Sequence, residues 1–210
     1  MYKSKKILIL APHTDDGELG CGGSISRFLE EKKDVYYVAF STCSESLPKG
    51  LPKDTLKTEL KAAIKNIGIN SKNLFILDYT VRKLNYVRQE ILEDLVKIRA
   101  KINPDIVFIP SSNDVHQDHQ TVSIEGLRAF KTKTILGYEL PWNTITFHAQ
   151  HFITLEKRHV EAKIKALEKY KSQENRDYFN KDFLMGWSKL RGTQIGTEFA
   201  EAFEVVRWVI

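Results

Sequence analysis

Two short stretches of this chain hold residue types that do chemistry. PHTDDGELGCGG, from Pro12 to Gly23, carries His13 and the adjacent pair Asp15 and Asp16, and about a hundred residues later HQDH carries His116, Asp118 and His119. A glycine-rich turn between strand and helix suggests a phosphate cradle, but the spacing fails. Gly20 and Gly22 would open a G-x-G-x-x-G whose third glycine falls on Ile25, and no G-x-x-x-x-G-K-[ST] occurs. Two carboxylates would also repel a pyrophosphate unless a cation intervened. Imidazole and carboxylate together are ligands for a divalent transition metal. A catalytic zinc site takes about three protein ligands and leaves a position open for water. Two histidines and one aspartate would meet that need. An aspartate, a histidine and a further aspartate then remain, the set needed to activate a water and stabilise an oxyanion.

The elements that must position these residues are legible as alternating patterns. Short apolar runs at Lys6 to Ala11, Val35 to Ser41, Leu74 to Leu77, Ile106 to Pro110 and Thr134 to Glu139 read as strands. Between them Leu56, Leu60, Ile64 and Ile67, and then Val87, Ile91, Leu95 and Ile98, recur at helical spacing. Repeated βα units predict an α/β, Rossmann-like three-layer sandwich with a mostly parallel central sheet. TITFHAQHFITL, from Thr144, reads as further strand, followed by a basic helix over residues 156 to 171 and a glycine-punctuated tail ending FEVVRWVI. In that basic segment Lys157, Arg158, Lys163, Lys165, Lys169 and Lys171 surround a stripe of Val160, Ile164 and Leu167, the pattern of a solvated helix face. Ligand sites in such sheets lie outside the carboxyl ends of the strands. That rule selects the loops His13 to Gly23 and Ser111 to Gln120.

At 210 residues, 42% hydrophobic and 28% charged, the composition fits one domain over residues 1 to 210 with one sizeable core. No apolar run approaches the roughly 20 residues of a membrane span. MYKSKK followed only by ILIL lacks the apolar region of a signal peptide, and Cys21 and Cys43 are the only cysteines, so a reducing, cytoplasmic setting is expected. The net charge of +5 is spread along the chain, with no compact basic tract interleaved with aromatics, which argues against a nucleic-acid-binding module.

The two motifs resemble those of the PIG-L or LmbE-like zinc-dependent N-deacetylases, which include the deacetylases of glycosylphosphatidylinositol, mycothiol and bacillithiol synthesis. That family has a strand, a P-H-P-D-D motif, a G-x-G-G helix start and a later H-x-x-H with aspartate in third place. Here these are PHTDDGELGCGG and HQDH, and KALEKYKSQ and RGTQIGTEFAEAF look like the family's later blocks. The resemblance implies an LmbE-like fold. It implies His13, Asp16 and His119 as zinc ligands, with ferrous iron or cobalt able to use the same set. It makes Asp15 the general base toward the attacking water, and His116 an imidazolium that polarises the acetyl carbonyl, oriented and kept charged by Asp118. The implied partner is a small N-acetylated sugar or glycoconjugate, or a nucleotide-linked sugar. Thr14 stands where the family has proline, Gly17 and Glu18 replace an acidic residue after the aspartate pair, and Leu56 takes the place of the substrate-holding arginine of an R-x-x-E motif ending at Glu59. Lys53, Lys57, Arg82 and Arg191 are candidate replacement cations. The competing reading, a non-haem iron enzyme, would use the same two histidines and carboxylate for oxygen chemistry.

Overall fold

The computed structural model describes residues 5–209. Seven strands form one sheet in the order β3-β2-β1-β4-β5-β7-β6. They are β1 (Lys6–Ala11), β2 (Asp34–Ala39), β3 (Leu74–Ile76), β4 (Ile106–Pro110), β5 (Thr134–Tyr138), β6 (His151–Leu155) and β7 (Phe199–Arg207). Strands β1 to β5 are parallel, whereas β7 pairs antiparallel with both β5 and β6. The helices are α1 (Asp16–Glu30), α2 (Thr55–Ile67), α3 (Arg88–Ile102), α4 (Gln117–Ala129), α5 (Lys157–Leu167) and α6 (Lys181–Thr193). No described helix is long and apolar enough to cross a membrane.

Successive strand residues point to opposite faces, and β1 feeds two cores in that way. Ile7, Ile9 and Ala11 pack with α1, α2, α5 and α6, while Leu8 and Leu10 pack with α3 and α4. This is the expected three-layer sandwich. The chain leaves β1 for β2 and β3 on one side, then crosses to β4 and β5 on the other. The loops after β1 and β4 therefore diverge from neighbouring strands and leave a crevice at the switch point.

Three expectations change. The predicted strand from Thr144 begins only at His151, and residue 144 contributes a single bridge to Asp114. The tail contains a helix, α6, started by Asn180, whose side chain accepts from the N–H groups of Asp182 and Phe183. The basic helix is not a fully solvated face. Lys163 is 1% exposed, its Nζ lies 2.8 Å from Glu201 Oε1, and its ammonium sits over the Trp187 ring.

The GELGCGG glycines also have a different task from turning the chain. None of Gly17, Gly20, Gly22 and Gly23 has positive φ, and all lie inside α1. A Cβ on Gly20 would fall 2.3 Å from Tyr138 Cδ2, and one on Gly22 would fall 2.6 Å from Lys163 Cγ. These glycines let β5 and α5 approach the helix backbone. The Tyr138 ring is fully buried and tethered by its hydroxyl to Leu10 O at 2.9 Å, so it has nowhere to retreat. Gly20→Ala gains about 1 kcal/mol of helix propensity but overpacks at a cost of about 1–3 kcal/mol or more. A net loss of stability is expected in denaturant unfolding, and an unchanged or raised midpoint would contradict this packing account.

Candidate active site

β1 ends at Ala11, and the next four residues carry the first half of the site into α1. Asp15 is the N-cap of α1 but its side chain does not cap the helix. Asp16 turns back instead, and its Oδ2 accepts from the His13 backbone N–H at 2.8 Å. Adjacent carboxylates therefore diverge, with Asp15 left to line a cavity of about 460 Å³. Beneath this loop the Tyr37 and Tyr170 hydroxyls both reach the Thr14 carbonyl, at 3.0 and 2.7 Å, and both contact the Glu18 carboxyl. Burial pushes Glu18 up to about 8. A neutral carboxyl and two phenols thus anchor the loop from below.

The second half follows β4. His116 is the N-cap of α4, and its Nδ1 accepts from the Asp118 N–H at 3.1 Å. Asp118 and His119 follow in the first turn, both buried. His13, His116 and His119 each place a ligand-capable atom within 4.8 Å of the others.

A tighter triangle lies within this cluster. His13 Nδ1 is 3.1 Å from Asp16 Oδ2 and 3.1 Å from His119 Nε2, and His119 Nε2 is 3.2 Å from the same Asp16 oxygen. Tetrahedral ligands at about 2.0–2.1 Å from zinc would be separated by roughly 3.3 Å, so the donor set fits such an ion. The outer nitrogens are also held by carboxylates, His13 Nε2 by Asp118 at 3.0 Å and His119 Nδ1 by Asp114 at 2.7 Å. Carboxylate partners behind ligating histidines fix ring orientation and raise basicity. The protein's own charges point the same way. Burial disfavours charge on both rings, yet Asp16 and the flanking carboxylates outweigh it and raise His13 to about 9 and His119 to about 10. The enclosure is built to hold positive charge.

One expected partnership is not formed. The Asp118 carboxylate faces His13 rather than His116, and it also accepts the N–H groups of Arg82 and Leu84. His116 instead folds its Nδ1 over the start of its own helix, and burial together with the charges of His119 and His13 lowers it to about 4. It sits in the site as a neutral ring with Nε2 as its remaining donor. Asp15 is pushed up to about 6 by burial and by Asp16, closer to neutrality than an ordinary aspartate.

Sequence reasoning missed Asp114, although its place five residues before His119 on the same loop was a usable signal. It also missed Arg176 and Tyr178, which line the cavity from a segment with no motif of its own. Of the candidate cations, Arg82 lines the cavity. Arg191 is locked to Glu139, and Lys53 and Lys57 are not among the lining residues. Glu59 accepts from both the N–H and the hydroxyl of Ser172, which ties α2 to the KYKSQ block.

The GlcNAc-PI de-N-acetylase family profile matches residues 8–130, more than half of the chain and both halves of this site. The chain belongs to the PIG-L family. It is 29% identical over 174 residues to the uncharacterized deacetylase YaiS of Escherichia coli K12, covering 81% of this chain and 92% of that one. It is 26% identical to the diacetylchitobiose deacetylase of Thermococcus kodakarensis, over 96% of this chain and 83% of the relative. The structure of the N,N'-diacetylchitobiose deacetylase of Pyrococcus horikoshii superposes with a TM-score of 0.83 at 23% identity, covering 97% of this chain and 84% of that one. This PIG-L protein is thus a deacetylase, an amide hydrolase of a metal-dependent family, with the LmbE-like fold expected of it. Neither the iron-oxygenase reading nor the nucleic-acid reading is favoured.

Proposed function

We propose that this PIG-L protein hydrolyses the acetamide of an N-acetylated amino sugar, held in a glycoconjugate or nucleotide-linked form, with His13, Asp16 and His119 holding a divalent ion, zinc in the first instance. The observation that carries the reading is the triangle of donor atoms opening onto the cavity that Asp15 and His116 also line. A divalent cation held there supplies Lewis acidity, lowering the pKa of a water toward about 7 and polarising the acetyl carbonyl. Asp15 accepts the proton of the water as its oxygen bonds to the acetyl carbon. His116 donates from Nε2 to the carbonyl oxygen as negative charge grows there. The C–N bond then breaks, the proton held at Asp15 passes to the departing nitrogen, and acetate and a free amine remain. Asp118 serves as a positioning residue for His13 rather than for His116.

The relatives named as diacetylchitobiose deacetylases support an amino-sugar substrate. Two buried, unpaired cysteines support a cytoplasmic setting, and a sheet drawing strands from both ends of the chain supports one catalytic domain. The test is acetate release from free, disaccharide and nucleotide-linked N-acetylhexosamines. Activity is expected to vanish on chelation and to return with zinc or another divalent metal. Absence of acetate release from every member by metal-loaded protein would overturn the reading.

A second prediction isolates the carboxylate behind His13. Asp118→Asn is expected to weaken metal binding about 10–100-fold, read by competition with a chromogenic chelator. Unchanged affinity would remove Asp118 from the ligand support.

A further inference from the structure

We infer that the deacetylase cavity selects a substrate carrying an anionic group, phosphate or carboxylate, which Arg82 and Arg176, both in the cavity lining, bind. The inference rests on the deacetylase reading above and names the substrate class of that site. Both arginines line the cavity, one from the β3–α3 connection and the other from the segment before α6. Neither forms a close ion pair with a carboxylate among the described residues, although the Arg176 charge acts on Asp15 and lowers it against the upward push of burial. Arg82 donates to Ser46 Oγ at 3.0 Å and Arg176 to the Tyr178 hydroxyl at 2.8 Å, both neutral partners. This contrasts with Arg88, Arg128, Arg158 and Arg191, each paired with a glutamate. A guanidinium in a cavity lining that is not ion-paired to a carboxylate is suited to planar, bidentate capture of phosphate or carboxylate.

The backbone supports the same assignment. Arg82 has φ +63, in the left-handed region that a side chain rarely adopts, and its N–H is donated to Asp118, the residue that holds His13. Cys43 and Asp78, also at positive φ, lie in the loops after β2 and β3 at the same sheet edge. Strain persists where the surroundings over-determine it, as at ligand clamps. Here the Arg82 backbone is held by its hydrogen bond to Asp118. Arg176 stacks on Tyr178, which in turn stacks on Trp142 with ring centroids 4.0 Å apart. Both rings line the cavity beside the second cation. With Leu56 where the family pattern has arginine, these two residues supply the guanidinium groups of the cavity lining.

The test compares a neutral substrate, methyl N-acetylglucosaminide, with N-acetylglucosamine 1-phosphate, N-acetylglucosamine 6-phosphate and N-acetylmuramic acid. The expected result is a kcat/KM about tenfold or more higher for at least one anionic member, expressed in KM and declining as salt is raised. The two phosphate arms and the carboxylate arm show which anion is preferred and where on the sugar it sits. In the Arg82→Gln/Arg176→Gln double variant the ratio of anionic to neutral kcat/KM is expected to fall to within about twofold of unity, and Arg→Lys at both positions to restore part of it. Calorimetry with the preferred anionic sugar on Asp15→Asn protein reads the same preference without turnover. Acetate release with no charge preference, or a loss shared equally by neutral and anionic substrates in the double variant, overturns the anion site and leaves the deacetylase reading standing. No acetate from any substrate, with charge-selective binding still seen by calorimetry, overturns the deacetylase reading instead.

Discussion

Asp15→Asn is expected to lower kcat for acetate release by about 10²–10⁴ while leaving bound metal and thermal stability close to the parent protein. Asparagine keeps the size and one oxygen of the side chain but cannot take a proton. The geometry allows this separation of roles. The Asp16 oxygen lies 3.1 and 3.2 Å from two histidine nitrogens, so that carboxylate belongs to the donor triangle. Asp15 neither caps α1 nor enters that triangle, and it lines the cavity. Metal content by atomic emission, taken with acetate release on the same preparation, makes the comparison. Activity within threefold of the parent, with metal retained, would transfer the base role to another group. Loss of metal along with activity would place Asp15 in the ligand shell.

The largest stability effect is expected at Glu201→Ala. Glu201 sits on β7, 5% exposed, and accepts from Lys163 Nζ at 2.8 Å and from the N–H groups of Gly23 and Ser24 at 3.0 and 2.7 Å. Removing its carboxylate strands an ammonium that has almost no contact with solvent. Breaking a buried pair on one side costs about 3–5 kcal/mol, which in a domain of this size lowers the melting temperature by on the order of 10 °C. Lys163→Met combined with Glu201→Gln removes both charges and is expected to recover much of the loss, because what destabilises is the unpaired charge and not the absence of the pair. Chemical denaturation of the parent protein and these two variants gives the comparison. A Glu201→Ala cost below about 1 kcal/mol would mean that water reaches the Lys163 ammonium.

These two residues mark the limits of what could be read from sequence. Asp15 was legible because its neighbours on a strand-ending loop form a local pattern with a chemical meaning. Lys163 was not. Its helix shows basic residues around an apolar stripe, and periodicity reports which residues share a face without reporting what the face meets. The ammonium is buried because β7, from the other end of the chain, brings Glu201 against α1 and α5. The glycines of α1 give the same lesson. Their sequence position suggested a tight turn, but the need for Gly20 and Gly22 arises from Tyr138 and Lys163, more than a hundred residues away.

The βα alternation, the sheet edge that carries the two motifs, and the clustering of imidazole and carboxylate groups there were legible in the chain. All of these depend on local periodicity or on short motifs at strand ends. Only the tertiary structure decided which carboxylate stands behind which histidine, pairing Asp118 with His13 and Asp114 with His119. It also brought Arg82 and Arg176, from segments without a motif, into one cavity lining. The Asp118–His13 pairing and the meeting of the two arginines depend on the relative placement of elements about a hundred residues apart, set by how the helix layers pack on the sheet, and no spacing along the chain encodes them.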